Sequence, residues 1–171
     1  MSLWILDTDH ISLFQQQHPV VTQRINAVNP EDIAITIITI EEQLRGRFNI
    51  IRKASSSDTL VLAYAKLQAT LEFFKNVRSL GFNEYAINYY EDFIRQRIRI
   101  GTQDLRIAAI TLSVNGILVT RNHNDFEKVP NLRFEDWTIS QYDSVNAKTL
   151  LSKPNFLRKR KGRKGTEGRN A

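Results

Sequence analysis

The sequence predicts an α/β fold: a central, mostly parallel sheet of four to five strands with helices on both faces. Two observations carry this. Short apolar runs of strand length recur through the first 140 residues, each bounded by polar or turn-forming residues. Amphipathic stretches at helical spacing lie between them. Strands alternating with helices make right-handed βαβ units, and such units make a parallel sheet.

Each element follows in order. Residues 3–6 (LWIL) are apolar and stop at the acidic DTDH, as a buried parallel strand does. Residues 32–36 (DIAIT) form a second run with β-branched character. Over 37–53 the spacing turns helical, with Ile40, Leu44, Phe48 and Ile51 on one face. Ser57 heads a longer helix in which Leu60, Ala63, Leu67, Leu71 and Phe74 recur at intervals of three and four, and Gly81 is its expected stop. Residues 84–87 (EYAI) are expected as a third strand, followed by the amphipathic NYYEDFIRQRIRIG. The clearest helix runs from Asp104 to the breaker Asn115–Gly116. Residues 117–120 (ILVT) supply a fourth strand and 133–137 (RFEDW) a fifth.

Composition sets the outer bounds. A chain of 171 residues, 42% apolar and 25% charged, suits one domain with a real core. The absence of cysteine excludes disulfides, zinc–thiolate centres and thiol nucleophiles, and suits a reducing cytoplasm. The N-terminal residues lack a basic region and make a poor secretion signal. No run approaches the roughly 18 apolar residues of a bilayer span, so no membrane association is expected.

The net charge of +6 is unevenly placed. From Gln141 onward nine Lys or Arg stand against Asp143 and Glu167, so residues 1–140 carry a net charge of about −1. The expected organisation is a domain over 1–140 and a basic, largely disordered tail over 141–171, which either adds sequence-independent attraction to phosphate or is a solvated tail without a role.

In a parallel α/β sheet ligands gather at the carboxyl ends of the strands. Asp7 and Asp9 follow the first strand there, and Asn122 and Asp125 follow ILVT. Asp104 lies in the first turn of its helix, and Glu41 and Glu42 in the first turns of theirs. Each has a structural reading too. Asp104 suits a helix N-terminus through the macrodipole, Asp7–Thr8–Asp9 suits a strand-ending turn, and either glutamate suits a solvated helix face. Convergence of carboxylates from separate stretches favours a hard cation instead, Mg²⁺ or Mn²⁺. Of the histidines, His10 and His18 read as turn residues. His123 lies near the proposed site, where a substrate contact is the alternative to a surface role.

Four stretches resemble the motifs of the PIN-domain family, and of its VapC-type toxins in particular. LDTDHIS (6–12) is similar to the first motif, and ITIEEQLRG (38–46) to the second, whose Glu stands four residues before a Gly; that spacing selects Glu42 with Gly46. GTQDLRIAAITL (101–112) is similar to the third, with Asp104 as its acid. ILVTRNHNDFEKVPNLRFEDW (117–137) is similar to the end of VapC-type toxins. The likeness covers about residues 1–139, in the family's order. It implies a PIN-like three-layer α/β/α sandwich and a Mg²⁺-dependent endoribonuclease, with a cognate antitoxin and a homodimer as partners. Asp7, Glu42 and Asp104 would hold the ion. Thr120, Asn122 and Asp125 would complete the catalytic set, and Thr8, Asp9, Arg121 and His123 would meet substrate. Arg45 and Arg106 are further candidates for the RNA backbone, each also readable as plain surface charge. Asn122 departs from the family pattern, where Asp is common, and leaves one negative charge fewer.

Two other classes stay open. A phosphatase with an aspartyl nucleophile would use Asp7 and Asp9 but has no work for Glu42, and it wants Thr or Val where Ile11 stands. A non-catalytic RNA-binding protein on the same scaffold is the second, kept alive by Asn122.

Overall fold

Five parallel strands form one sheet in the order β3-β2-β1-β4-β5. The structure, a computed structural model, describes residues 2–139, which belong to a single unit; the expected basic tail lies outside the described residues. The strands are β1 (Trp4–Leu6), β2 (Ile33–Thr36), β3 (Arg78–Leu80), β4 (Ile117–Val119) and β5 (Phe134–Glu135). Seven α-helices are described: α1 (Thr8–Gln15), α2 (Pro19–Ala27), α3 (Ile37–Lys53), α4 (Ser57–Lys75), α5 (Glu84–Arg95), α6 (Thr102–Ser113) and α7 (His123–Phe126). Strand β1 is central. The chain runs from it to β2 and β3 on one side, and β4 and β5 lie on the other, so order reverses between β1 and β4. A cleft at the carboxyl ends opens at such a reversal.

Alternation along the strands builds a core on each face of the sheet. Ile5, Ala34 and Leu118 pack with Leu105, Ala108 and Ala109 of α6 and Phe93 of α5. Leu6, Ile33, Ile35 and Val119 turn the other way and pack with Ile11 of α1 and Trp137. Trp137 is fully buried, lies 5.2 Å from the Trp4 ring, and is covered by the Arg24 guanidinium at 5.2 Å.

The strand-to-helix junctions are abrupt, and they set the site. Thr36 ends β2 and caps α3 at once, its hydroxyl accepting from the Thr39 amide at 3.0 Å. Asp7 does the same between β1 and α1, accepting from the Thr8 amide at 2.7 Å. The DTDH segment therefore opens a helix and is not a free turn. Helix α6 stops at Asn115, which adopts a positive φ of 51°. Gly116 follows where a Cβ would stand 2.5 Å from Ile5 Cδ1, so a larger residue there would force the buried Ile5 side chain to shift.

The structure corrects three sequence expectations. Residues 84–87 open α5 and are not a strand, because Asn83 accepts from the amides of both Tyr85 and Ala86 at 3.1 Å and starts a helix there. The third strand is β3 at 78–80, whose polar RS hid it. Helix α4, capped by Ser56, accordingly ends at Lys75, well before Gly81. The predicted apolar faces of α3 and α4 are also only partly buried. Ile38, Thr39 and Gln43 are the buried positions of α3, and Phe48 is 56% exposed. Of α4 only Ala63 and Thr70 are buried, while Leu60 and Leu71 reach solvent. Helical period alone thus overstated their burial.

Candidate active site

Asp7 is fixed by its junction. One carboxylate oxygen caps α1, and the other accepts from the Thr120 hydroxyl of the β4 end at 2.8 Å. Thr120 is itself fully buried and accepts from the Asn122 amide at 3.1 Å. Burial is the largest influence on Asp7, followed by the charge of Asp9 and, after two opposing hydrogen bonds, that of Glu42. Together they raise its pKa to about 7.

Glu42 stands in the second turn of α3 and accepts a hydrogen bond from the Thr8 hydroxyl. Its neighbour Glu41 points elsewhere, pairing with Arg45 and accepting from Gln103 at 2.9 Å. Asp104 lies in the first turn of α6, whose N-cap is Gly101 and has no side chain to offer. Among the described residues the Asp104 carboxylate has neither a hydrogen-bond partner nor a cation within 4 Å, so it does not act as the cap. Burial, then the charges of Asp125 and Glu42, raise its pKa to about 6.

The charge of Glu42 thus acts on both Asp7 and Asp104 at the strand ends, beside the larger effects of Asp9 on the first and Asp125 on the second. None of Asp7, Glu42 and Asp104 has a basic partner among the described residues. That donor set, all oxygen and uncompensated, fits a hard divalent cation. Among the described residues no three His, Cys, Asp or Glu side chains stand so that all could ligate one ion at once. Asp7 and Glu42 already accept hydrogen bonds from Thr120 and Thr8. The set fits an ion held partly through its own waters, as Mg²⁺ commonly is.

The remaining predicted residues fall outside this pocket or on its rim. Asp9 accepts from the Arg121 amide at 3.0 Å and pairs with its side chain at 3.3 Å. It also bonds His10 Nδ1 at 2.7 Å. Burial pushes the Asp9 pKa up, but these bonds outweigh it and hold the pKa below the ordinary carboxylate value. Arg121 is thereby committed to Asp9. Asn122 directs its amide nitrogen to Asp125 at 3.2 Å, and Asp125 also pairs with Lys128 at 2.9 Å. The hydrogen bond from Lys128 lowers the Asp125 pKa, with that from Asn122 adding to it. His123 faces Asp136 at 3.5 Å and the Phe134 ring at 5.4 Å, turned toward β5. Arg106 bonds Gln103 at 2.7 Å and lies over Tyr90.

His10 overturns its expectation as a surface turn. It is fully buried, and its Nε2 accepts from the Trp137 amide at 3.1 Å. That bond fixes the tautomer: the proton sits on Nδ1 and is donated to Asp9. His10 therefore ties the β1 end to the chain beyond β5. Only the pairing of an early DTDH with a terminal DW could have signalled this, and such long-range pairings are invisible to local pattern. His18 caps α2, accepting from the Val21 amide at 3.4 Å.

Fold and strand-end pocket define a PIN-like α/β domain. Within that class the chain resembles the VapC-type toxins in both sequence and fold. It is 27% identical over 142 residues to Ribonuclease VapC1 of Haemophilus influenzae (strain R2866), spanning 80% of this chain and 98% of the relative. Its fold matches VapBC-1 from nontypeable Haemophilus influenzae with a TM-score of 0.64 and 25% identity, over 80% of this chain and 99% of that one. DNA-bound VapBC from Salmonella typhimurium shares the fold at a TM-score of 0.65 and 24% identity, over 80% and 99% of the two chains. No family model matches the chain.

Proposed function

We propose that this chain is a metal-dependent endoribonuclease, the toxin of a toxin–antitoxin pair. The observation that carries the reading is a fold shared with VapBC-1 in which Asp7, Glu42 and Asp104, each without a basic partner among the described residues, stand near the strand ends. Mg²⁺, or Mn²⁺ in its place, would be held by these three carboxylates. Such an ion supplies charge to a phosphoryl oxygen and a more acidic bound water. The chain's own residues do the rest. Thr120 orients Asp7, Thr8 orients Glu42, and Asp104 presents a carboxylate with no hydrogen-bond partner among the described residues, placed to orient an attacking water. Asn122 offers a neutral amide beside Thr120, and its bond to Asp125 keeps that carboxylate at the rim. RNA is the substrate in this reading and a cognate antitoxin the partner, as in the VapBC complexes; a homodimer and a cytoplasmic location accompany it.

The aspartyl-phosphatase reading fits poorly. Both Asp7 oxygens already accept hydrogen bonds, and Asp9, locked between Arg121 and His10, is not free to act as its acid. The non-catalytic reading rests on Asn122, and one experiment separates it. Purified protein is incubated with a mixed RNA pool in Mg²⁺, in EDTA, and as Asp7→Ala in Mg²⁺. Cleavage only by the parent in Mg²⁺ supports the nuclease; RNA binding without cleavage by a folded parent overturns it.

A further inference from the structure

A groove of about 510 Å³ leaves the acidic pocket at Thr8 and Glu42 and runs between α1, α3 and α4 to Gly46, Arg47 and Lys66. Two features of it have no use in the metal site. The first is Arg47. Its Nε donates to the Thr70 hydroxyl at 2.8 Å and its guanidinium to Gln15 at 3.3 Å. Thr70 is 2% exposed and its own hydroxyl donates to the Lys66 carbonyl at 2.9 Å, so the anchor is rigid. Arg47 is thus held in place by neutral partners, and among the described residues no carboxylate lies within 4 Å of it. Arg24, Arg45, Arg95 and Arg121 each have one. Arg52, Arg106 and Arg133 also bond only neutral groups among the described residues, but of these arginines it is Arg47 that is anchored on a buried hydroxyl. Hydrogen bonds to neutral groups order this long cation and leave its charge without an anion, and a planar fork of donors matches a phosphate.

The second is Gly46. It lies inside α3, where glycine weakens a helix relative to alanine. No atom lies within 4 Å of where its Cβ would be, so packing does not require it. The bare backbone faces the groove one residue before Arg47, and room kept open at a helical glycine suits the close approach of a ligand.

We propose that Gly46 and Arg47 form a subsite for a phosphate of the RNA strand that flanks the one being cut, with Thr70 and Gln15 as positioning residues. This rests on the ribonuclease reading. Arg47 lies five residues beyond Glu42 on one helix, a rise of about 7.5 Å, so a strand bound at the acidic pocket continues along the groove to meet it. The anion is taken to be RNA because the groove opens from the pocket proposed to hydrolyse phosphodiesters.

The test uses the full chain and one oligonucleotide taken from the cleaved pool. Arg47→Ala should raise KM about tenfold with kcat little changed, and lower the slope of log(kcat/KM) against log salt by about 0.7, one single-strand phosphate contact. Thr70→Val, which keeps the buried shape, should shift KM the same way by less. Gly46→Ala should raise the melting temperature yet also raise KM, a pair of signs that a purely structural glycine does not give. Oligonucleotides neutralised at one phosphate by methylphosphonate should show a single flanking position that matters to the parent and not to Arg47→Ala. If the parent cuts RNA and Arg47→Ala, folded by its melt, matches it in KM and salt slope, the subsite is wrong and the nuclease stands. The subsite is equally wrong if Gly46→Ala binds RNA as the parent does. A folded parent that cuts no RNA overturns both.

Discussion

Two sets of carboxylates sit side by side at the carboxyl ends of β1 and β4, and their chemistry is opposite. Asp9 and Asp125 are held low in pKa, the first by His10 and Arg121 against the pull of burial, the second by Lys128 and Asn122. Asp7 and Asp104 are pushed up by burial and by each other's neighbours. The paired set stitches the chain together. The unpaired set costs the free protein stability, and in the proposed function a cation would offset that cost. Acidity at a strand end is thus no guide to role; what decides is whether the structure already supplies the counter-charge.

The largest expected effect breaks the unpaired set. Asp104→Asn should abolish RNA cleavage, a loss of about a thousandfold or more if several kcal/mol of transition-state stabilisation depend on the pocket. The same substitution removes repulsion, so the metal-free melting temperature at pH 7 should hold or rise. A variant that still cuts, or one that is unfolded, would sink this account of Asp104.

The paired set should respond the other way. His10→Ala leaves the Trp137 amide without its acceptor, removes one of the hydrogen bonds to Asp9 and opens a cavity beside the second core. The cost should be about 2–4 kcal/mol in urea unfolding, with cleavage by the remaining folded protein reduced far less than in Asp104→Asn. Equal stability of variant and parent would show that the link from β1 to the chain beyond β5 is dispensable.

How much of this was legible in sequence follows the same division. Asp7 and Asp104 could be singled out as candidates because each stands at a fixed offset from a strand or helix start, and local pattern reports such offsets. Glu42 was chosen over Glu41 only through the family resemblance and its spacing to Gly46. Four of the five strands could be read for the same reason. Strand β3 could not, since RSL carries its hydrophobicity in one residue and owes its existence to pairing with β2. His10 and Arg47 depend on partners far along the chain, Trp137 and Thr70, so nothing local distinguished them from surface residues. The apolar periods of α3 and α4 were real but marked faces that solvent reaches.

A smaller effect lies in the pH dependence of the metal-free protein. Asp7 is raised from 3.8 to about 7 in the fold. A raised acid favours folding while it is protonated in both states, and this advantage is lost as pH climbs from about 4 through 7. In EDTA the melting temperature should therefore fall by several degrees across that window, Asp7→Asn should flatten much of the fall, and Mg²⁺ should offset it by mass action above pH 6. A parent curve as flat as the variant's would mean that Asp7 is not buried as an acid.

The smallest expected effect separates two adjacent glutamates. Glu42 faces the pocket through Thr8, while Glu41 is exposed and bound up with Arg45 and Gln103. Exposed pairs at helical spacing contribute little in water, because solvent screens them and both side chains lose freedom on pairing. Glu41→Gln should leave both the melting curve and RNA cleavage where they were. Glu42→Gln keeps the size and one acceptor for Thr8 but removes the charge, so its fold should persist while cleavage and Mg²⁺-induced stabilisation fall together. If the two variants behave alike, position on the helix does not distinguish them, and the contrast between paired and unpaired carboxylates loses its sharpest case.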